Sequence, residues 1–121
     1  MKKELDIHNY AVKVKSGLKR LEESEISAVN KKRIIEFTDY CTVSGIGLPR
    51  IERYLGILAY WARLLGKDFD KVTKEDMMKA VKKLQDTEKY APWTKSTYKS
   101  MIKRFYKCLK ITQKKRRNQK N

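Results

Sequence analysis

TKSTYKSMIKRFYKCLKIT, residues 94–112, decides how this chain is read. At about 100° per residue, Tyr98, Met101, Ile102, Phe105, Cys108, Leu109 and Thr112 fall on one arc of a helix. Lys95, Lys99, Lys103, Lys107 and Lys110 fall on the opposite arc. The first set predicts an inward face of aromatic and aliphatic groups, and the second a row of ammonium groups facing outward. From Thr94 onward there are eleven Lys or Arg residues and no Asp or Glu; the remaining 19 cations share the first 93 residues with all 14 acids. The basicity is therefore local. A solvated surface ordinarily mixes both signs, which limits self-repulsion. A single-sign row points instead to a polyanionic partner, most simply nucleic-acid phosphate.

With 121 residues, the chain fits one domain with a modest core. Its 40% hydrophobic content and 12 aromatics exclude a wholly disordered basic polymer, while five Gly and two Pro favour helices over sheets. No stretch approaches the ~20 apolar residues that span a bilayer. MKKELDIHNY has charges but no apolar stretch behind them, so it does not read as a secretory signal. The expected setting is cytoplasmic, nucleoid-associated when the chain is on DNA, with no membrane partner. Cys41 and Cys108 lie in helical patterns with no ligand at metal spacing and read as small buried thiols.

The expected fold is all-α: a compact bundle of four main helices with an extra short N-terminal helix and a disordered basic C-terminal tail. Residues 1–23 form the N-terminal segment, 24–112 the helical DNA-binding domain and 113–121 the tail. Ile7, Ala11, Val14, Leu18 and Leu21 suggest the N-terminal helix over 7–22, although Val12, Val14 and Gly17 are poor helix formers. Ser24 and Ser27 are candidate N-caps for a helix over 28–44, with Ile34, Phe37, Thr38 and Cys41 inward, stopped by SGIG at 44–47. Pro49 suits the first turn of the next helix, which ends at Gly66 as a left-handed cap. Ile51, Leu55, Leu58, Ala62 and Leu65 form its core stripe, flanked by Tyr54 and Trp61, while Arg50, Arg53, Tyr60 and Arg63 form a second cationic row. Phe69 and Val72 plug the core. Thr73 with Asp76 reads as a capping box for a helix over 74–85, whose Met77, Ala80, Val81 and Leu84 point inward. Pro92 blocks helix across the 86–93 turn, leaving Thr94 or Ser96 to cap the last helix.

Catalytic constellations are missing. His8 is the only histidine, GIGLPR lacks the spacing and the Lys-Ser/Thr ending of a P-loop, and the carboxylates cluster at helix ends and loops where helix dipoles account for them. No catalytic residue, metal site or cofactor is expected.

SEISAVNKKRIIEFTDYCTVSGIGLPRIERYLGILAYWARLLGKDFDKVTKEDMMKAVKKL, residues 24–84, followed by YAPWTKSTYKSMIKRFYKCL, residues 90–109, resembles the N-terminal core-binding (SAM-like) domain of tyrosine recombinases, the phage-type integrases, particularly archaeal ones. The most specific parts are RI..YL joined to A..LG, the T.ED cap, and PWT.S.Y...I.RFYK.L; the chain departs from the pattern at Cys108, where an aromatic is common. The resemblance implies one half of a C-shaped clamp on duplex DNA at the crossover site. A separate C-terminal domain of that family carries the Arg, Lys, HxxR and Tyr catalytic set. No HxxR occurs here, so the resemblance assigns a binding role and no enzymatic one. It puts the DNA-facing helices on residues 49–65 and 94–112.

The expected contacts are Lys95, Lys99, Lys103, Lys107 and Lys110 on phosphates, with Arg50, Arg53, Tyr60 and Arg63 as a second wall. Thr94, Ser96 and Thr97 would either hold a phosphate at a helix N-terminus or serve as caps alone. A Lys-dominated surface implies modest base discrimination. Expected partners are double-stranded DNA, a C-terminal catalytic recombinase domain and other recombinase protomers. Two other readings stand beside this one: a free-standing DNA-binding regulator or architectural protein, and a helical protein-interaction module that uses the apolar stripe of residues 7–21.

Overall fold

A computed structural model describes residues 10–119, with side chains over residues 10–109. Five α-helices follow in order: α1 Tyr10–Glu23, α2 Ala28–Val43, α3 Leu48–Leu65, α4 Lys74–Asp86 and α5 Pro92–Gln119, with one 3-10 turn at Phe69–Lys71 before α4. There is no strand among the described residues, and none of their helices is long and apolar enough to cross a membrane. The all-α expectation holds. The described residues form five α-helices, the N-terminal one, α1, packed on α3.

The central element is α3, which packs against each of the other four helices. Its sequence explains this. Ile51, Tyr54, Leu55, Ile57, Leu58, Trp61 and Ala62 are all buried, a belt of about 160° rather than the narrow stripe of an edge helix. Trp61, expected on the flank, is fully buried and donates its indole N–H to Tyr98 O at 3.0 Å, while Leu65 is only half-buried. α1 lies along α3 despite weak helix formers. Gly17 is the reason they fit: a Cβ there would come within 3.2 Å of Leu55 Cδ1. Close approach buries Leu21 and brings Val14 and Leu18 onto the core, whereas Ala11 stays exposed and Ile7 lies outside the described residues.

Three termini match their sequence signals. Ser27 caps α2 by accepting from Asn30 N–H, whereas Ser24 turns back to donate to Leu21 O. Gly66 ends α3 at φ +67°, where an L side chain is strained. Thr73 and Asp76 form a reciprocal capping box on α4. Two expectations about α5 need correction. Pro92 begins the helix rather than blocking it, because its fixed φ and missing N–H suit the first turn, where no intrahelical partner awaits that N–H. The helix also continues past Thr112 through Gln119, so residues 113–119, expected as disordered tail, have helical backbone. Lys, Gln and Arg are good helix formers, and the run 113–119 contains no Gly or Pro to stop it. Residues 120–121 lie outside the described set.

Phe69 is the plug that the sequence suggested. Its ring stands 4.7 Å from that of Phe105, which in turn meets Phe37 at 5.5 Å; Val72 beside it is half-buried. Buried Asn30 holds the plug: its Oδ1 accepts from Phe69 N–H at 2.7 Å and its Nδ2 donates to Lys67 O at 3.0 Å. Tyr106 completes the arrangement by donating its hydroxyl to Phe69 O at 2.9 Å. Arg33 on α2 grips Asp70 through two nitrogens and pairs with Glu36, which raises its pKa further. Cys41 is buried, which pushes its thiol up to about 11, while Cys108 is half-buried.

Candidate nucleic-acid interface

The cations that converge are arginines rather than lysines. Along α3, residues outside the buried belt form one open strip that includes Glu52, Arg53, Gly56, Ala59 and Arg63. Along α5, Trp93, Thr97, Ser100 and Arg104 recur at spacings of four, three and four, one stripe down the helix. The two strips face each other. A cleft of about 680 Å³ opens between them, closed on a third side by Gly17 and Arg20 of α1. A second cleft of about 280 Å³ continues it past Arg50, Ser100 and Arg104, and the two share Arg53, Ile57 and Thr97. Five arginines from three helices thus line one continuous groove, and no lysine does.

Their electrostatic states differ. Arg104 donates to the Tyr54 hydroxyl at 3.1 Å, which orients the guanidinium without neutralising it. Arg63 donates to Glu25 Oε1 at 2.6 Å, and this hydrogen bond lowers the Glu25 pKa. The pair is exposed and of little structural weight. Among the described residues, no carboxylate pairs with Arg20, Arg50 or Arg53. Glu52 is the acid on the groove wall, so the lining keeps a surplus of positive charge. Planar guanidinium groups suit bidentate contact with phosphate oxygens or base edges.

The expected lysine row lies elsewhere. Helical geometry puts Lys95, Lys99 and Lys103 about 90–170° around α5 from the middle of the Thr97–Arg104 strip, while Lys107 continues the strip one turn beyond Arg104; none of the four lines the groove. Lys95 is half-buried and donates to Gln85 O at 2.8 Å, satisfying a carbonyl at the C-terminal end of α4. Lys99 is half-buried, Lys103 and Lys107 are exposed, and the Lys110 side chain lies outside the described residues.

Tyr60 is also separate from the groove. Its ring packs edge-on against Trp61, Tyr90 and Tyr98 at 5.2–6.0 Å, and burial raises its pKa. Thr94 and Thr97 line the groove, whereas Ser96 is exposed on another side. At this helix start Thr94 and Lys95 N–H both donate to Ala91 O, and Thr97 Oγ1 donates to Trp93 O. None of the three is the cap.

Arg20, Trp93, Ser100 and Arg104 are groove residues that sequence reasoning missed. Arg104 and Ser100 had a usable signal, since both share the Thr97 side of α5. Arg20 had none, because its place depends on how α1 crosses α3. His8 lies outside the described residues, and no cluster of three His, Cys, Asp or Glu side chains that could hold a metal occurs among those described. No protein-family model matches the chain, and no curated protein or solved structure matches it.

Proposed function

We propose that this chain is a DNA-binding helical domain that grips duplex DNA through the α3–α5 groove, in the manner of the core-binding domain of tyrosine recombinases. The observation that carries the reading is the convergence of Arg20, Arg50, Arg53, Arg63 and Arg104 on one open groove with hydroxyl groups between them. Mutual repulsion makes such a cluster unfavourable unless a polyanion meets it, and phosphate contacts then supply affinity by releasing counterions. The lysines beyond the groove add long-range attraction.

Strand cleavage belongs, on this reading, to a separate catalytic domain of the family. The tyrosines of α5 are engaged in packing: the Tyr106 hydroxyl is donated to a backbone carbonyl, burial raises its pKa, and Tyr98 sits within the aromatic cluster. A free-standing regulator would use the same groove, and binding assays with and without a recombinase catalytic domain separate the two. The protein-interaction reading would rest on a reduced apolar stripe of α1, since Leu21 is buried and Val14 and Leu18 pack against the core, and self-association without DNA would favour it.

Five to eight phosphate contacts give an expected log-log salt slope of about −5 to −7 with little sequence preference. Fluorescence anisotropy on a 20-base-pair duplex from low to moderate salt tests this. A flat salt dependence, or no binding at low salt, overturns the proposal.

A further inference from the structure

The chain has two tryptophans, and they are opposites. Trp61 is completely buried with its N–H satisfied, whereas Trp93 is 75% exposed at the mouth of the arginine groove. Phosphate binding explains the arginines but has no use for an open indole. A second feature of the same groove points the same way. Gly56 lies within α3, where glycine is unfavourable, yet a Cβ built there would meet no heavy atom within 4 Å. Packing within the chain does not require a glycine, so its effect is to keep wide the groove that Trp93 also lines. The third feature is that every groove cation is an arginine, the cation that both binds phosphate and stacks on flat rings.

The α5 strip from Trp93 to Arg104 rises over eleven residue steps, about 16 Å, or about five base steps of a stacked strand. Trp93 and Arg104 therefore address different nucleotides. In continuous duplex every base face is covered by its neighbours, which leaves nothing for an indole to stack on. A base that has left the stack offers a free face, and stacking on an aromatic side chain is tolerant of base identity.

Resting on the DNA-binding reading, we propose that the mouth of the groove receives an unstacked base on Trp93 while the arginines hold the flanking phosphates. The domain then prefers DNA with an unpaired nucleotide over continuous duplex. The test uses the full 121-residue chain and two 20-base-pair probes, one continuous and one with a single central unpaired nucleotide. Anisotropy gives affinity, and iodide quenching reports the Trp93 indole, because buried Trp61 is shielded. The expected result is about tenfold tighter binding to the probe with the unpaired nucleotide, with Trp93 protected from iodide on that probe. Trp93→Ala, an exposed substitution that leaves the core intact, abolishes the preference, so that the two probes bind with equal affinity. Equal affinity of the parent for both probes, or a preference that survives Trp93→Ala, overturns the inference. Arg53→Glu distinguishes the levels of failure. If it weakens both probes while Trp93→Ala affects neither, stacking alone is wrong; if it weakens neither, the groove is not the DNA site.

Discussion

The two flanks of α5 carry similar charge in very different settings. On one side Thr97, Ser100 and Arg104 face α3 across a groove that α1 closes, and five arginines line its two adjoining clefts. On the other, Lys95 is tied to the end of α4 and its companions spread along a convex helix surface, each at its own distance from any ligand. Charge on a single helix face can be counted from sequence. Convergence cannot, because it needs walls, and the walls come from other helices. Concave cationic surfaces focus potential where convex ones let solvent screen it, so the groove should dominate short-range binding and the lysine row the approach.

The largest effect removes what both flanks share. Phe105 packs beneath them against Phe37 and Phe69, and Phe105→Ala should cost about 3–5 kcal/mol, enough to unfold much of a domain this size. Circular-dichroism melts will show it, with loss of DNA binding following unfolding.

Next comes the contrast itself. Arg50→Glu with Arg53→Glu replaces two exposed groove cations and should lower DNA affinity by about 100-fold with melting nearly unchanged. Lys99→Glu with Lys103→Glu should cost only about tenfold and reduce the salt slope by about 2. Anisotropy titrations of both doubles decide the ranking, and a larger loss from the lysine pair would reverse the comparison.

A smaller effect comes from the two helical glycines. Gly56→Ala meets open space and should stabilise the fold by up to about 1 kcal/mol while narrowing the groove and weakening DNA binding. Gly17→Ala gains the same helix propensity but presses a Cβ to 3.2 Å from Leu55, so its melting temperature should stay near that of the parent.

The smallest effect is set by pH. The hydrogen bond from Lys67, helped by the Thr73 N–H of the capping box, takes the Asp76 carboxyl from its ordinary 3.8 down to about 2. Because the folded value lies below the unfolded one, the contribution is complete above 3.8 and is lost as pH falls through about 2. Hydrogen exchange between pH 5 and pH 2 should therefore show α4, which carries the lysine contact at Gln85, loosening before α3.

Local rules wrote much of this molecule. Ser27, Gly66 and the Thr73–Asp76 box mark helix ends because caps satisfy backbone groups within three or four residues, and such chemistry is visible in a short window of sequence. The inward Met101, Ile102, Phe105 and Leu109 of α5 followed from helical period alone, and Phe69 as a plug from its being an apolar residue in a charged connection. Pro92 shows where a local rule forks: the same ring that ends a helix in its interior begins one at the first turn. Tertiary structure decided the remainder. α1 is helical against poor propensities because Gly17 admits Leu55, and Tyr60 left the expected site because three aromatic neighbours surround it. The shift from a lysine row to an arginine groove has the same origin. Period and composition determine which residues share a helix face, but whether that face borders a groove depends on which helices stand opposite, and that is settled by packing between residues far apart in the chain.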